Sequence, residues 1–151
     1  MKLDRSTFVE VIKNTPLVSI DLIARNAKGE VLLGLRSNEP AKNYWFVPGG
    51  RIRKNELIAD AFERIARSEL GIESAIGNAK FLGVFEHLYQ ANYFAEQEFG
   101  THYVVLGHEI ELQEPLHLLS GSQHRNHRWW KVKDLVKAQD VHQYTKDYFK
   151  K

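Results

Sequence analysis

The sequence predicts a mixed α/β layered structure, and three features carry that prediction. The candidate elements run in the order helix, strands, helix, strands and terminal helix along 151 residues, which indicates helices layered on a sheet. Apolar residues alternate in the candidate strands and recur every three or four residues in the candidate helices. The length suits one domain, 1–151, which at this size buries roughly 70% of the surface of the unfolded chain.

The composition narrows the class of protein. The 43% hydrophobic and 11% aromatic content is that of an ordinary globular protein. A formal net charge of +2 argues against nucleic-acid or membrane surfaces as partners, so an anion site must be built from local basic residues. The absence of cysteine excludes disulfides and thiolate metal sites. No apolar run approaches ~20 residues and the first residues are too charged for a signal peptide, so we expect a cytoplasmic protein.

The first third of the chain reads as a helix, a hairpin and a short strand. "LDRSTFVEVIKN" is predicted to be a helix with Phe8 on its apolar face. "LVSIDLIAR" alternates as a strand, with Ser19 and Asp21 on its less apolar side. "NAKGE" is a turn that returns the chain as the strand "VLLGLR". "YWFVPGG" is then predicted to be an aromatic strand that ends in a Pro-Gly-Gly turn.

The remainder begins with a helix from about Leu57 to Leu70, whose apolar residues have helical spacing and which Gly71 ends. "FLGVFEHLY" and "THYVVLGHEIEL" are predicted strands, separated by an acidic, aromatic loop. A polar loop, "SGSQHRNH", leads into the strand "RWWKV". The tail predicts one or two short helices.

One sequence motif indicates a chemical function. The stretch "GGRIRKNELIADAFERIARSELGI", from Gly49 to Ile72, resembles the Nudix box, a glycine followed at fixed spacing by glutamates, an arginine and a second glycine. "WFVPGG" before it is typical of what leads into the box. Two positions depart from the motif, because Ile65 and Ser68 stand where that family has glutamates. The positions in register are Gly50, Glu56, Arg64, Glu69, Gly71 and Ile72.

The two departures matter physically. Positions 65, 68 and 69 of a helix are neighbours, and three carboxylates there would gather several divalent cations that ionise an attacking water. This chain keeps only Glu69, which needs other ligands to hold even one Mg²⁺. The alternative, if the motif is disregarded, is that Glu69 is a solvated charge on the helix and that Arg64 forms a surface ion pair with Asp60 or Ser68.

Over nearly its whole length the chain is similar to the GDP-mannose mannosyl hydrolases, a divergent Nudix branch that lacks the same two glutamates. The resemblance rests on "TPLVSIDLIARN", "YWFVPGGR", "AFER", "ELG", "THYVVLG" and "QHRNHRW". It implies the Nudix fold, a mixed β-sheet sandwiched between helices. It also implies a homodimer with one Mg²⁺ per subunit, Mn²⁺ being an alternative, and displacement of GDP by C–O cleavage at the anomeric carbon.

The chemistry of the leaving group agrees with the C–O cleavage that the resemblance implies. Glycoside hydrolases generally need two carboxylates, one of which protonates the departing oxygen. A nucleoside diphosphate leaves far more readily, because its second phosphate pKa is about 6. One metal ion and arginines that neutralise the departing charge therefore suffice.

The resemblance also assigns the ionic part of the site. It implies that the Gly49 carbonyl, Glu69 and Gln123 hold the Mg²⁺, all oxygen donors that suit a hard cation. Arg36, Arg51 and Arg64 would pair with phosphate, and Tyr103 would donate its hydroxyl to the departing group. Without the resemblance, Arg36 and Arg51 are basic residues at strand ends, and Tyr103 is a half-buried strand aromatic.

His124 is the predicted general base, since a neutral imidazole accepts a proton near pH 7; alternatively it is a surface loop histidine. A zinc site of His117, His124 and His127 has unsuitable spacing. The resemblance places Asp21 and His87 near the sugar, although each side chain alternatively makes a structural hydrogen bond. It also lets three N-terminal residues reach the guanosine across a dimer interface, with Phe8 stacking on the base unless it merely anchors the helix: Lys2, Leu3 and Phe8.

Three functions follow from these readings. The first is hydrolysis of GDP-mannose, and possibly GDP-glucose, to GDP and free sugar with inversion at the anomeric carbon. The second is an ordinary Nudix diphosphatase that cleaves a P–O bond to give GMP and sugar phosphate. The third is an inactive Nudix domain that binds nucleotides.

Overall fold

A computed structural model describes residues 2–95, 98–113 and 124–150 of the chain, with the backbone alone at 124 and 125. Four α-helices and seven β-strands follow one another within these ranges. They are α1 Arg5–Asn14, β1 Leu17–Arg25, β2 Val31–Arg36, β3 Trp45–Phe46, β4 Gly49–Arg51, α2 Ile58–Leu70, β5 Lys80–Tyr89, β6 Thr101–Glu111, β7 His124–Trp130, α3 Val132–Leu135 and α4 Gln143–Lys146, with 3₁₀ helices at Ile76–Asn78 and Asp147–Phe149.

The strands form one mixed sheet, as predicted. Its main path has the order β3-β2-β1-β6-β5, while β4 pairs with β1 and β7 pairs with β2. The β1–β2 pair is the antiparallel hairpin that the "NAKGE" turn predicts. The β1–β6 pair is parallel, which is what makes the sheet mixed. This topology brings β1 to the centre of the sheet, with β4 and the start of α2 beside it.

Both faces of β1 are covered. Ile20, Leu22 and Ala24 belong to an apolar cluster under α2, whereas Ile23 belongs to a second cluster with β2, β7 and α3. Ser19 and Asp21 lie on the side of this second cluster and are buried as well. The predicted alternation is therefore present, but from Ser19 to Ala24 neither side of the strand faces solvent, because the chain supplies helices or further strands to both, whereas Val18 is exposed.

Helix α2 matches its prediction closely. Its apolar residues Ala61, Phe62, Ile65 and Ala66 are buried against β1. Gly71 ends the helix in the left-handed region, with φ 67°, and its N–H donates to the carbonyls of the last turn. A residue without a side chain takes this conformation at little cost, which is why glycine stops the helix here.

Two loop predictions are wrong. The Pro-Gly-Gly segment is not a turn, because Gly49 and Gly50 form β4 and pair with Asp21 and Ile20. The polar segment before "RWWKV" is not all loop, since β7 begins at His124 and ends at Trp130, before Val132 begins α3. In both cases a neighbouring strand satisfies the backbone hydrogen bonds of residues with weak strand propensity.

Within residues 2–95, 98–113 and 124–150, every helix is too short or too polar to cross a lipid bilayer.

Candidate functional site

A cavity of about 760 Å³ lies where α1, β1, β4, α2, β5 and β6 meet. It collects every predicted site residue whose side chain the structure describes. Gln123 and His117 lie outside the described residues, and for His124 the described backbone pairs with that of Arg36, a cavity residue. The predicted residues that line the cavity are Lys2, Leu3, Phe8, Asp21, Arg36, Gly49, Arg51, Arg64, Glu69, His87 and Tyr103.

One end of the cavity is built around Asp21. This carboxylate is only 7% exposed, and its Oδ2 accepts a 2.5 Å hydrogen bond from the Tyr148 hydroxyl. Its Oδ1 lies against Gly49, where a Cβ would approach it to 2.5 Å. Burial raises the pKa of Asp21 to about 7, against the opposing effects of the Tyr148 hydrogen bond and the Arg36 charge. The carboxylate is thus held between a tyrosine and a glycine.

His87 stands beside this end and is buried in aromatic side chains. Its ring stacks on Tyr144 with centroids 4.3 Å apart and an interplanar angle of 3°, and Phe46 meets it edge-on. Burial, with the nearby His142, lowers the pKa of His87 to about 4. The imidazole is therefore neutral at pH 7, and it acts there as a polar, uncharged group.

The middle of the cavity is basic. Arg36 donates from Nε to the Pro40 carbonyl at 2.7 Å, which fixes the guanidinium at the cavity wall. Burial lowers the pKa of Arg51, and its guanidinium carbon lies 4.1 Å above the Phe8 ring. Burial raises the pKa of the Tyr103 hydroxyl, although both arginine charges oppose that shift. The two arginines and the protonated tyrosine are three of the four residues to which the resemblance assigns phosphate contact, the fourth being Arg64.

Arg64 has a different set of partners from those predicted. Its guanidinium makes two hydrogen bonds to Glu56, of 2.8 and 2.9 Å, and one of 2.7 Å to the Arg51 carbonyl. The alternative reading of an ion pair with Asp60 or Ser68 is wrong, because Glu56 takes that place. Arg64 ties the loop after β4 to α2 at the cavity edge, and its direct contact with phosphate stays a prediction.

We expect Glu56→Gln to destabilise the protein by about 2 kcal/mol at pH 7. The hydrogen bonds from Arg64 hold the pKa of Glu56 at about 2, below the 4.5 of an unperturbed glutamate. A depressed folded-state pKa stabilises above about pH 4.5 and is lost as the pH falls toward 2, so the wild type and the variant should converge in acid. Urea unfolding at pH 7 and near pH 2 measures both effects.

Glu73→Gln is the matched control, since its pair with Arg67 is exposed to solvent on both sides. We expect little change there, because water screens the pair. An equal effect of both substitutions would contradict the assignment of Glu56 as the residue that holds the loop.

The described donors suit a single cation better than a cluster. Glu69 is buried and faces the cavity beside Gly49, which matches the oxygen chemistry of Mg²⁺. Ile65 is 1% exposed and belongs to the apolar cluster under α2, with its side chain against Gly50. Ser68 donates to the Ile65 carbonyl. No group of three histidines, cysteines or carboxylates suited to a metal occurs among the described residues.

The N-terminal residues contribute to the cavity of their own chain. Lys2, Leu3 and Phe8 line it together with Arg51, so no second chain is needed to bring them there. Phe8 also packs edge-on against Phe94 at 5.7 Å. The action of these residues across a dimer interface stays a prediction, and within the chain Phe8 lies under the Arg51 guanidinium.

Sequence reasoning missed the contribution of the C-terminal segment. The Thr145 hydroxyl accepts from the Val47 N–H, and Trp45 donates to the Asp140 carbonyl, so this segment is attached to β3. That attachment brings Tyr144 against His87 and Tyr148 against Asp21. The only signal in the sequence is the spacing of two tyrosines four residues apart, which places them on one side of a helical turn.

Comparison with known proteins gives a family and a fold. The sequence pattern of the NUDIX domain matches residues 15–151. The protein named "Low-salt glycan biosynthesis protein Agl8" from Haloferax volcanii is 44% identical over 104 residues, which are 69% of this chain and 64% of that protein. The chain thus spans slightly less than two thirds of the length of this relative.

Solved structures show the same architecture. A MutT NUDIX hydrolase from Burkholderia pseudomallei superimposes with a TM-score of 0.71 at 24% identity, covering 89% of this chain and 96% of that one. The NUDIX domain of Shewanella oneidensis NrtR, solved with ADP ribose, gives 0.66 at 14% identity and covers 97% of both chains. At these identities the similarity establishes the fold alone.

Proposed function

The chain belongs to the NUDIX domain family, whose pattern covers residues 15–151, and on that premise we propose that it hydrolyses a nucleoside diphosphate sugar. The proposed substrate is GDP-mannose, and GDP-glucose is proposed as a second substrate. The products are GDP and free sugar, formed by C–O cleavage with inversion at the anomeric carbon. The proposal also includes a cytoplasmic location, a single domain per chain and a homodimer, the last of which the resemblance to the GDP-mannose mannosyl hydrolases implies.

The observation that carries the proposal is that one cavity is lined by two chemically different groups of side chains. A basic middle made of Arg36, Arg51 and Tyr103 suits a diphosphate, because guanidinium groups and a hydroxyl donate to phosphate oxygens. A buried end made of Asp21 and His87 suits the hydroxyls and developing positive charge of a sugar. A nucleotide sugar has its anomeric carbon where these two regions join.

The replacement of box glutamates supports attack at carbon over attack at phosphorus. Ile65 is part of the apolar core, so the helix offers no second carboxylate at that position for a multi-metal water site. The Gly49 carbonyl, Glu69 and Gln123 would hold a divalent cation, which would neutralise charge on a departing diphosphate. Arg36 and Arg51 add fixed positive charge at the same group.

The proposed bond changes are simple. A water oxygen forms the new bond to the anomeric carbon, its proton passes to His124, and the C–O bond to GDP breaks with its electron pair leaving on the diphosphate. Asp21 has one oxygen held by the Tyr148 hydroxyl, so the carboxyl group is fixed in position, and its ionised form would stabilise an oxocarbenium-like transition state. The described backbone of His124 pairs with that of Arg36, which is consistent with a base near the reacting carbon.

Hydrolysis of GDP-mannose in ¹⁸O-labelled water with Mg²⁺ present tests the proposal, with products identified by mass spectrometry. We expect the label in the sugar and none in GDP, because the attack is at carbon. Labelled GMP, or a sugar phosphate labelled in its phosphate group, would identify a P–O diphosphatase, and label in GDP would likewise show attack at phosphorus. No turnover of any GDP- or UDP-sugar, with either Mg²⁺ or Mn²⁺, would indicate a domain that only binds nucleotides.

A further inference from the structure

The loop between β5 and β6 presents an exposed aromatic ring to the cavity mouth. Tyr93 is 51% exposed and lines the cavity. Its ring lies 6.1 Å from that of Phe8 and 5.1 Å from that of Phe94, measured between centroids. The three rings form an aromatic cluster between α1 and the loop.

The other two rings of this cluster, those of Phe8 and Phe94, each have a guanidinium group over one face. The Arg51 guanidinium lies over Phe8 at 4.1 Å, and the Arg5 guanidinium lies over Phe94 at 4.4 Å. Each of these faces is thereby covered by a cation, which is a favourable contact in itself. Phe8 and Phe94 are also partly buried, whereas Tyr93 keeps the larger exposed surface. Tyr93 therefore offers the most accessible ring of the three to a planar ligand in the cavity.

On both sides of the undescribed residues 96 and 97, hydrogen bonds hold the described part of the loop. Asn92 is fully buried, its side chain donates to the Phe99 carbonyl at 2.8 Å and accepts from the Phe94 N–H at 3.0 Å. The Thr101 hydroxyl donates to the Ala91 carbonyl at 2.7 Å. Such hydrogen bonds from side chains to the backbone stabilise a turn that has no regular secondary structure. They therefore hold in place the backbone on either side of Tyr93.

We propose that Tyr93 is the stacking platform for the purine base of the substrate. This inference rests on the proposed function, in which the diphosphate occupies the basic middle of the cavity beside Arg51. Because the Arg51 guanidinium lies on Phe8 and Phe8 contacts Tyr93, a nucleotide with its diphosphate at Arg51 has its base beside the aromatic cluster. Base stacking on an aromatic ring is sequence-tolerant and substantial, which suits an exposed tyrosine. The resemblance implies this role for Phe8, which stays a prediction; in the structure the Arg51 guanidinium lies over the Phe8 ring.

Isothermal titration of GDP and of inorganic pyrophosphate, both with Mg²⁺, tests the platform. We expect Tyr93→Leu to raise the Kd for GDP about tenfold, leave that for pyrophosphate unchanged, and Tyr93→Phe to stay within about threefold of wild type. Tyr44→Leu is the matched control, since Tyr44 is similarly exposed but lies outside the residues that line the cavity. Unchanged GDP binding, or an equal loss for both ligands, would overturn the inference.

A second measurement does not depend on a substitution. In wild-type protein with isotope-labelled tyrosine rings, GDP should shift the ring resonances of Tyr93 and pyrophosphate should not; equal responses to both would contradict stacking. The two proposals fail separately. Stacking of GDP on Tyr93 without C–O cleavage of GDP-mannose would refute only the function, whereas cleavage without a base effect at Tyr93 would refute only the platform.

Discussion

Glu69→Gln is expected to lower kcat/KM for GDP-mannose on the order of 100-fold, which corresponds to about 3 kcal/mol of lost transition-state stabilisation. Glu69 is the buried carboxylate of α2 that faces the cavity. An amide of the same shape keeps the packing but donates no negative charge to a divalent cation. The concentration of Mg²⁺ needed for half-maximal rate should rise in parallel, and steady-state kinetics over a Mg²⁺ series measures both changes.

Glu63→Gln is the control for this experiment. Glu63 lies on the same helix but is exposed to solvent, so its substitution alters the helix charge equally without reaching the cavity. We expect wild-type kinetics from it. Full activity of Glu69→Gln at wild-type Mg²⁺ concentrations would show that the remaining box carboxylate has no part in the reaction, and the cation would then have to be held elsewhere.

Gly49→Ala is expected to impair both folding and turnover. A Cβ at this position would lie 2.5 Å from the Asp21 Oδ1 and 2.6 Å from the Ile20 carbonyl oxygen. Real contacts of this kind do not occur, so β4 or the Asp21 carboxylate must move, at a cost of about 1–3 kcal/mol. Because Asp21 is also held by Tyr148, its displacement disturbs the sugar end directly, and we expect turnover to fall at least about tenfold.

The matched substitution is Gly77→Ala, where a Cβ would meet nothing within 4 Å. We expect its free energy of unfolding to stay within about 0.5 kcal/mol of wild type and its activity to be unchanged. Chemical denaturation of both variants gives the stability difference. A Gly49→Ala protein as stable and as active as Gly77→Ala would show that the close approach of β4 to β1 is not a constraint.

These expectations depend on how the site is assembled, and the sequence anticipated part of that assembly. The α2 helix was predictable because its apolar spacing and Gly71 are local features, and the structure confirms both. Its register also revealed that Ile65 replaces a carboxylate, which the structure places in the core. The collection of Arg36, Arg51 and Glu69 at one cavity agrees with the resemblance, although their chemical roles stay predictions.

Other features had no local signal. Gly49 and Gly50 read as a turn, because glycine disfavours strands, yet pairing with Asp21 and Ile20 makes them β4. Asp21 read as a residue on a polar strand face, yet Tyr148, 127 residues away in sequence, meets it in a buried setting. For Arg64 the resemblance implies contact with phosphate, which stays a prediction, and the structure adds the hydrogen bonds from its guanidinium to Glu56.

The sequence by itself determined the elements whose residues act on their near neighbours, together with the box motif and the loss of its two glutamates. Periodicity and glycine placement suffice for these, since they depend on residues three or four positions apart. Only the tertiary structure decided which polar groups are buried and that Arg64 binds Glu56. It also decided that Tyr93 is exposed whereas Phe8 is partly buried. Such outcomes depend on contacts between residues distant in the chain, because burial and electrostatic environment are properties of the packed site.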